Sequence, residues 1–362
     1  MNWSWRIARI GGTDVKLHFT FVLLIAWFVW QGFAAGGAAG ALATGATLLA
    51  LFGSVLVHEF GHIRMARRFG IRTPDVLLLP IGGVARLERI PEEPRQELLI
   101  ALAGPAVTLT IAAVSYGILA AMGQPPVLQP ATALPESPLA FLFDINLVLL
   151  LFNLVPAFPM DGGRVLRALL ASRLGMLRAT RIAARVGQAL AFVFGLVGLF
   201  GEPPRPILLL IAFFVFLGAG TELAVVETRS ATHGLALREV MVTNYRTIPV
   251  HARLDLAATM LLEGEQREFP VVDNLGHAEG ILTREGLIKG LAGQGPQGTV
   301  AEAMAGRLPV LVPEMPLDSA LALLKASGLP ALPVQGGEGT VIGMLTLENV
   351  RDLLLLRRAR GA

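Results

Sequence analysis

The sequence predicts a polytopic α-helical membrane protein, with about six transmembrane helices and a small β-hairpin, joined to a soluble α/β tandem. Three observations carry this. First, 54% of the 362 residues are hydrophobic and 16% are charged, whereas soluble domains carry about 25% charge. Mean hydropathy is +0.62. Second, long apolar runs alternate with connections that are either rich in arginine or nearly free of it. Third, the composition changes near residue 227, where an internal repeat begins. Cysteine is absent, which excludes a disulfide framework and any Cys-based metal site. The net charge of +3 is small, and no nucleic-acid partner is expected.

The start, MNWSWRIARIGGTDVKLHF, is polar and basic and has no cleavable signal pattern. Spans are expected at roughly 19–35, 41–63, 97–122, 139–157, 187–200 and 206–225, the fifth being short. Arg6, Arg9 and Lys16 precede the first span. Arg64, Arg67, Arg68, Arg72, Arg86, Arg89 and Arg95 follow the second. Arg164, Arg167, Arg173, Arg178, Arg181 and Arg185 follow the fourth. The connections between are nearly bare. The positive-inside rule therefore predicts a multi-pass cell-membrane protein with both termini cytoplasmic. It also places the inner ends of the second and fourth spans on one side. Between them VLLLPIGGVARLE, residues 76–88, is β-like.

The membrane part is expected to occupy 1–227 and the soluble tandem 228–362, with units at about 237–291 and 299–356. Each unit reads helix, strand, helix, strand, strand, helix. A Val/Pro-rich strand precedes an amphipathic helix, and a Gly-containing turn joins two further strands.

The stretch SVLVHEFGHIRMARRFG, residues 54–70, places ionisable groups at the inner end of the second span. His58 and His62 are i and i+4, so both imidazoles share one helix face and can reach one ion. Glu59 is offset beside them, where a carboxylate can take a proton from water. Gly61 lets another backbone come close. The plainer alternative is interfacial packing with Arg64 and Arg67 as counter-charges. However, charge within a span costs roughly 2.5–3.5 kcal/mol, which favours a functional role.

A zinc site needs a third protein ligand. His18 lies at a span entrance, and His233, His251 and His277 belong to the soluble part. Asp161, in NLVPAFPMDGGRVLRALL at the inner end of the fourth span, is the best candidate. Pro156 and Pro159 break the helix there. Taken alone, Asp161 reads more simply as the N-cap of the next helix. Opposite His58 and His62 it reads as a ligand.

These residues resemble the site-2 protease family of intramembrane zinc metalloproteases. HEFGH matches its H-E-x-x-H, and NLVPAFPMDGG matches its N-x-x-P-x-x-x-x-D-G-G. The segment between resembles its Gly-Gly hairpin and Ala-Gly-Pro helix, so the likeness covers roughly residues 10–225. The resemblance implies one Zn2+ per chain held by His58, His62 and Asp161, with Glu59 as general base. It implies that Asn153 helps hold the substrate carbonyl, although Asn153 could instead bond backbone freed by Pro156. It also implies a membrane substrate with a single transmembrane helix, such as an anti-sigma factor or another membrane-anchored regulator.

The C-terminal repeat resembles a pair of CBS domains, modules that often bind adenine nucleotides. The motif G-h-x-[ST]-x-x-[DN] keeps Thr346 and Asn349 in GMLTLEN, while GILTREG has Thr283 but Gly286 at the last position. The likeness implies ATP or AMP at the second unit, or else a structural tandem that forms a homodimer. Two readings rival the protease: a transporter or channel regulated by the tandem, and a non-catalytic metal-binding scaffold.

Overall fold

The structure, a computed structural model, describes residues 3–80, 82–86, 88, 91, 93–124 and 137–359. Ile81 and Leu87 of the expected hairpin, and Arg89, lie outside them. The chain divides into two compact units, Met1–Val226 and Glu227–Ala362.

In the first unit β1 (Ser4–Ile10), β2 (Thr13–His18), β3 (Asp75–Leu79) and β4 (Gly82–Arg86) form one sheet in that order. β2 and β3 run parallel, and the other neighbours run antiparallel. The expected small hairpin is thus half of a four-stranded sheet. β1 escapes a period-two reading because a bulge between Arg6 and Ala8 shifts its alternation.

Helix α1 (Phe19–Arg68) follows β2 without a loop and is broken at Gly36 and Gly37. Gly37 has φ of 59°, a backbone state that glycine adopts without steric cost. The two limbs correspond to the first two expected spans. They fold back closely, since a Cβ on Gly40 would lie 2.2 Å from the Gly32 carbonyl oxygen. Then come α2 (Pro94–Ala121), α3 (Pro138–Asn153), α4 (Asp161–Leu174), α5 (Met176–Phe200) and α6 (Pro206–Thr232).

Helices α1, α2, α5 and α6 are long and apolar enough to cross a membrane, and α3 is a shorter apolar helix. Leu42, Leu49, Phe192, Phe200, Ile207 and Phe213 are exposed. Such continuous apolar exposure suits lipid, not water. The short fifth span is corrected: α5 starts at Met176, not near 187. Its first three turns bury Ala179, Ala183, Ala184 and Gly187 while Arg178, Arg181 and Arg185 face outward. That amphipathic stretch is helical but lowers the hydropathy of any window containing it.

One buried ion cluster ties three helices. Arg167 of α4 and Glu97 of α2 are each 3% exposed. The Arg167 Nε donates to Glu97 Oε1 at 2.7 Å, and its Nη1 donates to Glu222 Oε2 of α6 at 3.2 Å. The guanidinium also lies 4.9 Å from the Phe158 ring centroid.

The second unit contains β5 (Ile248–Pro249), α7 (Leu254–Glu263), β6 (Glu268–Val272), β7 (Ala278–Thr283) and α8 (Arg284–Gln294). The repeat follows as α9 (Val300–Ala303), β8 (Ala305–Gly306), α10 (Leu317–Ser327), β9 (Ala331–Gln335), β10 (Val341–Thr346) and α11 (Leu347–Ala359). The two repeats exchange their leading segments. β8 completes the sheet β5-β6-β7-β8, while Val242 bridges Met344 in β10. Each repeat therefore finishes its partner's sheet, which makes the tandem one folding unit.

The ion cluster yields a stability test. Arg167→Met strands Glu97 in a buried site, which is expected to cost about 3–5 kcal/mol. Thermal unfolding of the detergent-purified protein should show a lower Tm. The double change Glu97→Met with Arg167→Met should recover most of it. A single variant as stable as the parent contradicts this.

Candidate metal centre

The site is built from α1 and the start of α4. His58 and His62 lie one turn apart and are 5% and 6% exposed, and Asp161 is 6% exposed. His58 Nε2 and His62 Nε2 each lie 3.1 Å from Asp161 Oδ2 and 3.1 Å from each other. Among the described residues they form the one group of three whose ligand atoms all lie within 4.8 Å. A tetrahedral zinc with bonds of about 2.0–2.1 Å sets neighbouring ligand atoms about 3.3–3.4 Å apart. The triangle is close to one face of that tetrahedron.

Proton placement supports a cation here. His62 Nδ1 lies 2.7 Å from the Ile100 carbonyl oxygen, which can only accept, so Nδ1 carries the proton. In the neutral ring Nε2 then presents a lone pair, directed at a carboxylate oxygen and another imidazole nitrogen. The three atoms, this close and this buried, make a pocket that suits a positive charge. The donor set therefore fits a divalent metal, and the Ile100 carbonyl supplies the outer bond that fixes the ring.

The segment after α3 delivers Asp161. A Cβ on Gly162 would lie 2.3 Å from the Val155 carbonyl oxygen, and one on Gly163 would lie 2.6 Å from the Phe158 nitrogen. The Pro-broken loop thus folds directly onto the first turn of α4. Asp161 does not act as the cap. Met160 occupies that position with no side-chain cap bond, and Asp161 is the first helical residue, its carboxylate turned to the imidazoles.

Two further approaches close the site. On α2, a Cβ at Gly104 would lie 2.2 Å from His62 Nε2 and 2.7 Å from His58 Cε1, so the rings rest on bare backbone. Gly61 meets the Ala103 carbonyl of the same helix, 2.7 Å from where its Cβ would stand. Glu59 is half-buried and packs against β4, with its Oε1 3.2 Å from a Cβ position on Gly83. Asn153 is the last residue of α3 and stands outside the group of three.

In the second unit Thr346 Oγ1 accepts from Asn349 N at 3.0 Å, capping α11. Thr283 Oγ1 caps α8 through Gly286 N in the same way. The Asn349 Nδ2 donates to the Val240 carbonyl. A polar cavity of about 440 Å³ is lined by Thr243, Tyr245, Thr247, Gly276 and Thr340 among others, and neither Thr346 nor Asn349 lines it.

Sequence reasoning missed Gly104, the Ile100 carbonyl and the Glu97–Arg167 pair. It also missed Asn146, fully buried in α3, whose Nδ2 donates to Ser54 Oγ one turn before His58. A polar residue inside an apolar span is the signal that could have found it.

Known proteins resemble both units of the chain. The model of peptidase family M50 matches residues 46–137 and 127–194, and that of the CBS domain matches 237–293 and 300–356. A zinc metalloprotease of Methanocaldococcus jannaschii is 35% identical over 279 residues, 76% of each chain. Rip3 of Mycobacterium tuberculosis is 29% identical over 366 residues, 96% of this chain and 92% of that one. Among solved structures, the site-2 protease of M. jannaschii is 36% identical and covers 61% of this chain and 95% of that one, with a TM-score of 0.46. The transporter and scaffold alternatives give way to these matches. The chain belongs to peptidase family M50, the site-2 protease type of zinc metalloprotease, and carries a tandem of CBS domains.

Proposed function

We propose that the protein is an intramembrane endopeptidase that cuts the transmembrane segment of a single-span membrane protein, such as a membrane-anchored regulator. The observation that carries this is the buried 3.1 Å triangle of His58, His62 and Asp161 with Glu59 alongside. His58, His62 and Asp161 would hold one zinc ion. When bound, zinc acts as a Lewis acid, making water more acidic and polarising a carbonyl oxygen.

The Glu59 carboxylate accepts a proton from the attacking water, whose oxygen forms a bond to the peptide carbonyl carbon. Glu59 then returns that proton to the departing amine as the C–N bond breaks. Asn153, at the end of α3, donates to the carbonyl oxygen. A transmembrane helix shields its own amides, so the substrate must first unwind. β4 is the outer strand of its sheet and packs on Glu59 through Gly83. Among the described residues its second edge pairs with no strand, and an extended substrate would add there as a further strand. On the positive-inside rule, this end of the helices and both termini would face the cytoplasm.

The CBS tandem, on this reading, takes one ATP or AMP per chain at the second unit, through Thr346 and Asn349. Asn349 has its nitrogen engaged, so its oxygen would accept from a ribose hydroxyl. The first unit lacks room for the equivalent side chain: a Cβ at Gly286 would lie 2.8 Å from the Ala303 carbonyl oxygen.

Three measurements test the proposal. Glu59→Gln in proteoliposomes with a single-span substrate should lower cleavage by about 10² or more, while metal analysis still finds zinc. Unchanged turnover contradicts the role of base. Asp161→Ala should lose zinc itself, and a folded variant that retains it removes Asp161 from the ligand set. Titration calorimetry with ATP or AMP should show one site per chain that is lost on Thr346→Ala with Asn349→Ala. Two equivalent sites, or none, contradict the nucleotide assignment.

A further inference from the structure

The register of the N-terminal hairpin has a property that the proposed chemistry does not use. Trp5 stands opposite Leu17, Ala8 opposite Val15 and Ile10 opposite Thr13, while Arg6 faces Lys16 and Arg9 faces Asp14. Cross-strand partners share a face. The bulge between Arg6 and Ala8 changes the parity of the strand, so Trp3, Trp5, Ala8 and Ile10 all lie on one face with Val15 and Leu17. Arg6, Arg9, Asp14 and Lys16 occupy the other, where Arg6 and Arg9 lie 3.8 and 3.6 Å from Asp14 and Lys16 lies 2.6 Å from Asp75.

Only the inner half of the apolar face is covered. Val15 is fully buried, in a cluster with Phe21 and Leu78 against which Ala8, Leu17 and Phe52 pack. The outer strand overhangs this cluster. Trp3, Trp5 and Ile10 are 51%, 54% and 46% exposed. Both indole rings stand edge-on to Phe19, at 5.6 and 6.2 Å between centroids. Phe19 is the first residue of α1, and its N–H donates to the Trp3 carbonyl at 2.8 Å. Exposed Val22, Leu23 and Trp27 continue the same apolar surface along α1. With no loop between β2 and α1, the hairpin is held at the start of the first apolar limb.

We propose that β1 is an interfacial strand whose overhanging face, Trp3, Trp5 and Ile10, seats in the headgroup–acyl boundary of the lipid bilayer, with its charged face turned to water. Tryptophan prefers that boundary because its ring is apolar and its N–H needs a polar partner. The two-faced strand matches the layered polarity there, as an interfacial amphipathic helix does. Since β1 pairs through β2 and β3 to β4, and β4 packs on Glu59, the strand would fix the depth of the sheet edge in the bilayer. The lipid contact itself does not depend on the proposed catalytic roles.

The chain has four tryptophans and no cysteine, which permits two independent tests. Trp27→Phe with Trp30→Phe leaves Trp3 and Trp5 as the only tryptophans, which are excited selectively at the red edge of the absorption band. In phosphatidylcholine vesicles their emission should be blue-shifted and should lose about half of its intensity or more with lipids brominated near the headgroup end of the chain. Lipids brominated near the bilayer centre, or iodide in the water, should have much smaller effects. Strong iodide quenching without bromolipid quenching overturns the proposal, as does blue emission insensitive to both, which would mean a protein cover such as a second copy. Separately, Arg9→Cys and Ile10→Cys each carry one nitroxide in the reconstituted protein. The label at 10 should be relaxed mainly by oxygen, and the label at 9 by a water-soluble nickel chelate. Equal relaxation of both labels by the chelate overturns the proposal.

Discussion

Two imidazole nitrogens and a carboxylate oxygen, from helices about a hundred residues apart in sequence, meet at 3.1 Å from one another in a buried pocket. Such a cluster suits a shared cation, and it keeps its geometry only if the backbone around it is rigid. Much of the first unit serves this requirement. Gly104 gives the rings a flat backbone to lie on, and Gly61 brings α1 against α2. Ile100 fixes one tautomer, and the glycines after Asp161 press its loop onto α4. The Arg167–Glu97–Glu222 cluster then joins α4, which supplies Asp161, to α2, which supplies the Ile100 carbonyl, and to α6.

The sheet has the complementary task. Its strands join the start of α1 to the hairpin beside Glu59, so one hydrogen-bonded sheet runs from Ser4 to Gly83. Under the proposed function this sheet relates the position of the membrane surface to the strand that receives the substrate. The CBS tandem is a folding unit of its own, because its repeats exchange their first segments and complete each other's sheets.

How far the sequence discloses this depends on the range of each interaction. His58 and His62 are legible because helical periodicity alone puts them on one face, and Asp161 is legible through its Pro- and Gly-flanked motif. The CBS repeat is legible as two aligned strand and helix patterns. Features that require knowing which helices touch are not. Nothing local marks Gly104 as the floor of the rings, or Glu97 as the partner of Arg167. The strand β1 hides behind its bulge, and the first turns of α5 hide behind their arginines. Asp161 shows why an ambiguous residue cannot be settled locally: as a candidate cap it looks adequate, and only the opposing histidines draw its carboxylate away from the helix end.

On the proposed function, the three converging side chains form a zinc site. X-ray absorption at the zinc edge of the purified full-length protein tests it most directly. One zinc per chain is expected, in a four-coordinate shell of nitrogen and oxygen at about 2.0–2.2 Å, with outer-shell scattering from two imidazoles that disappears in His58→Ala with His62→Ala. Zinc well below one per chain, or a zinc spectrum unchanged by that double substitution, would contradict it.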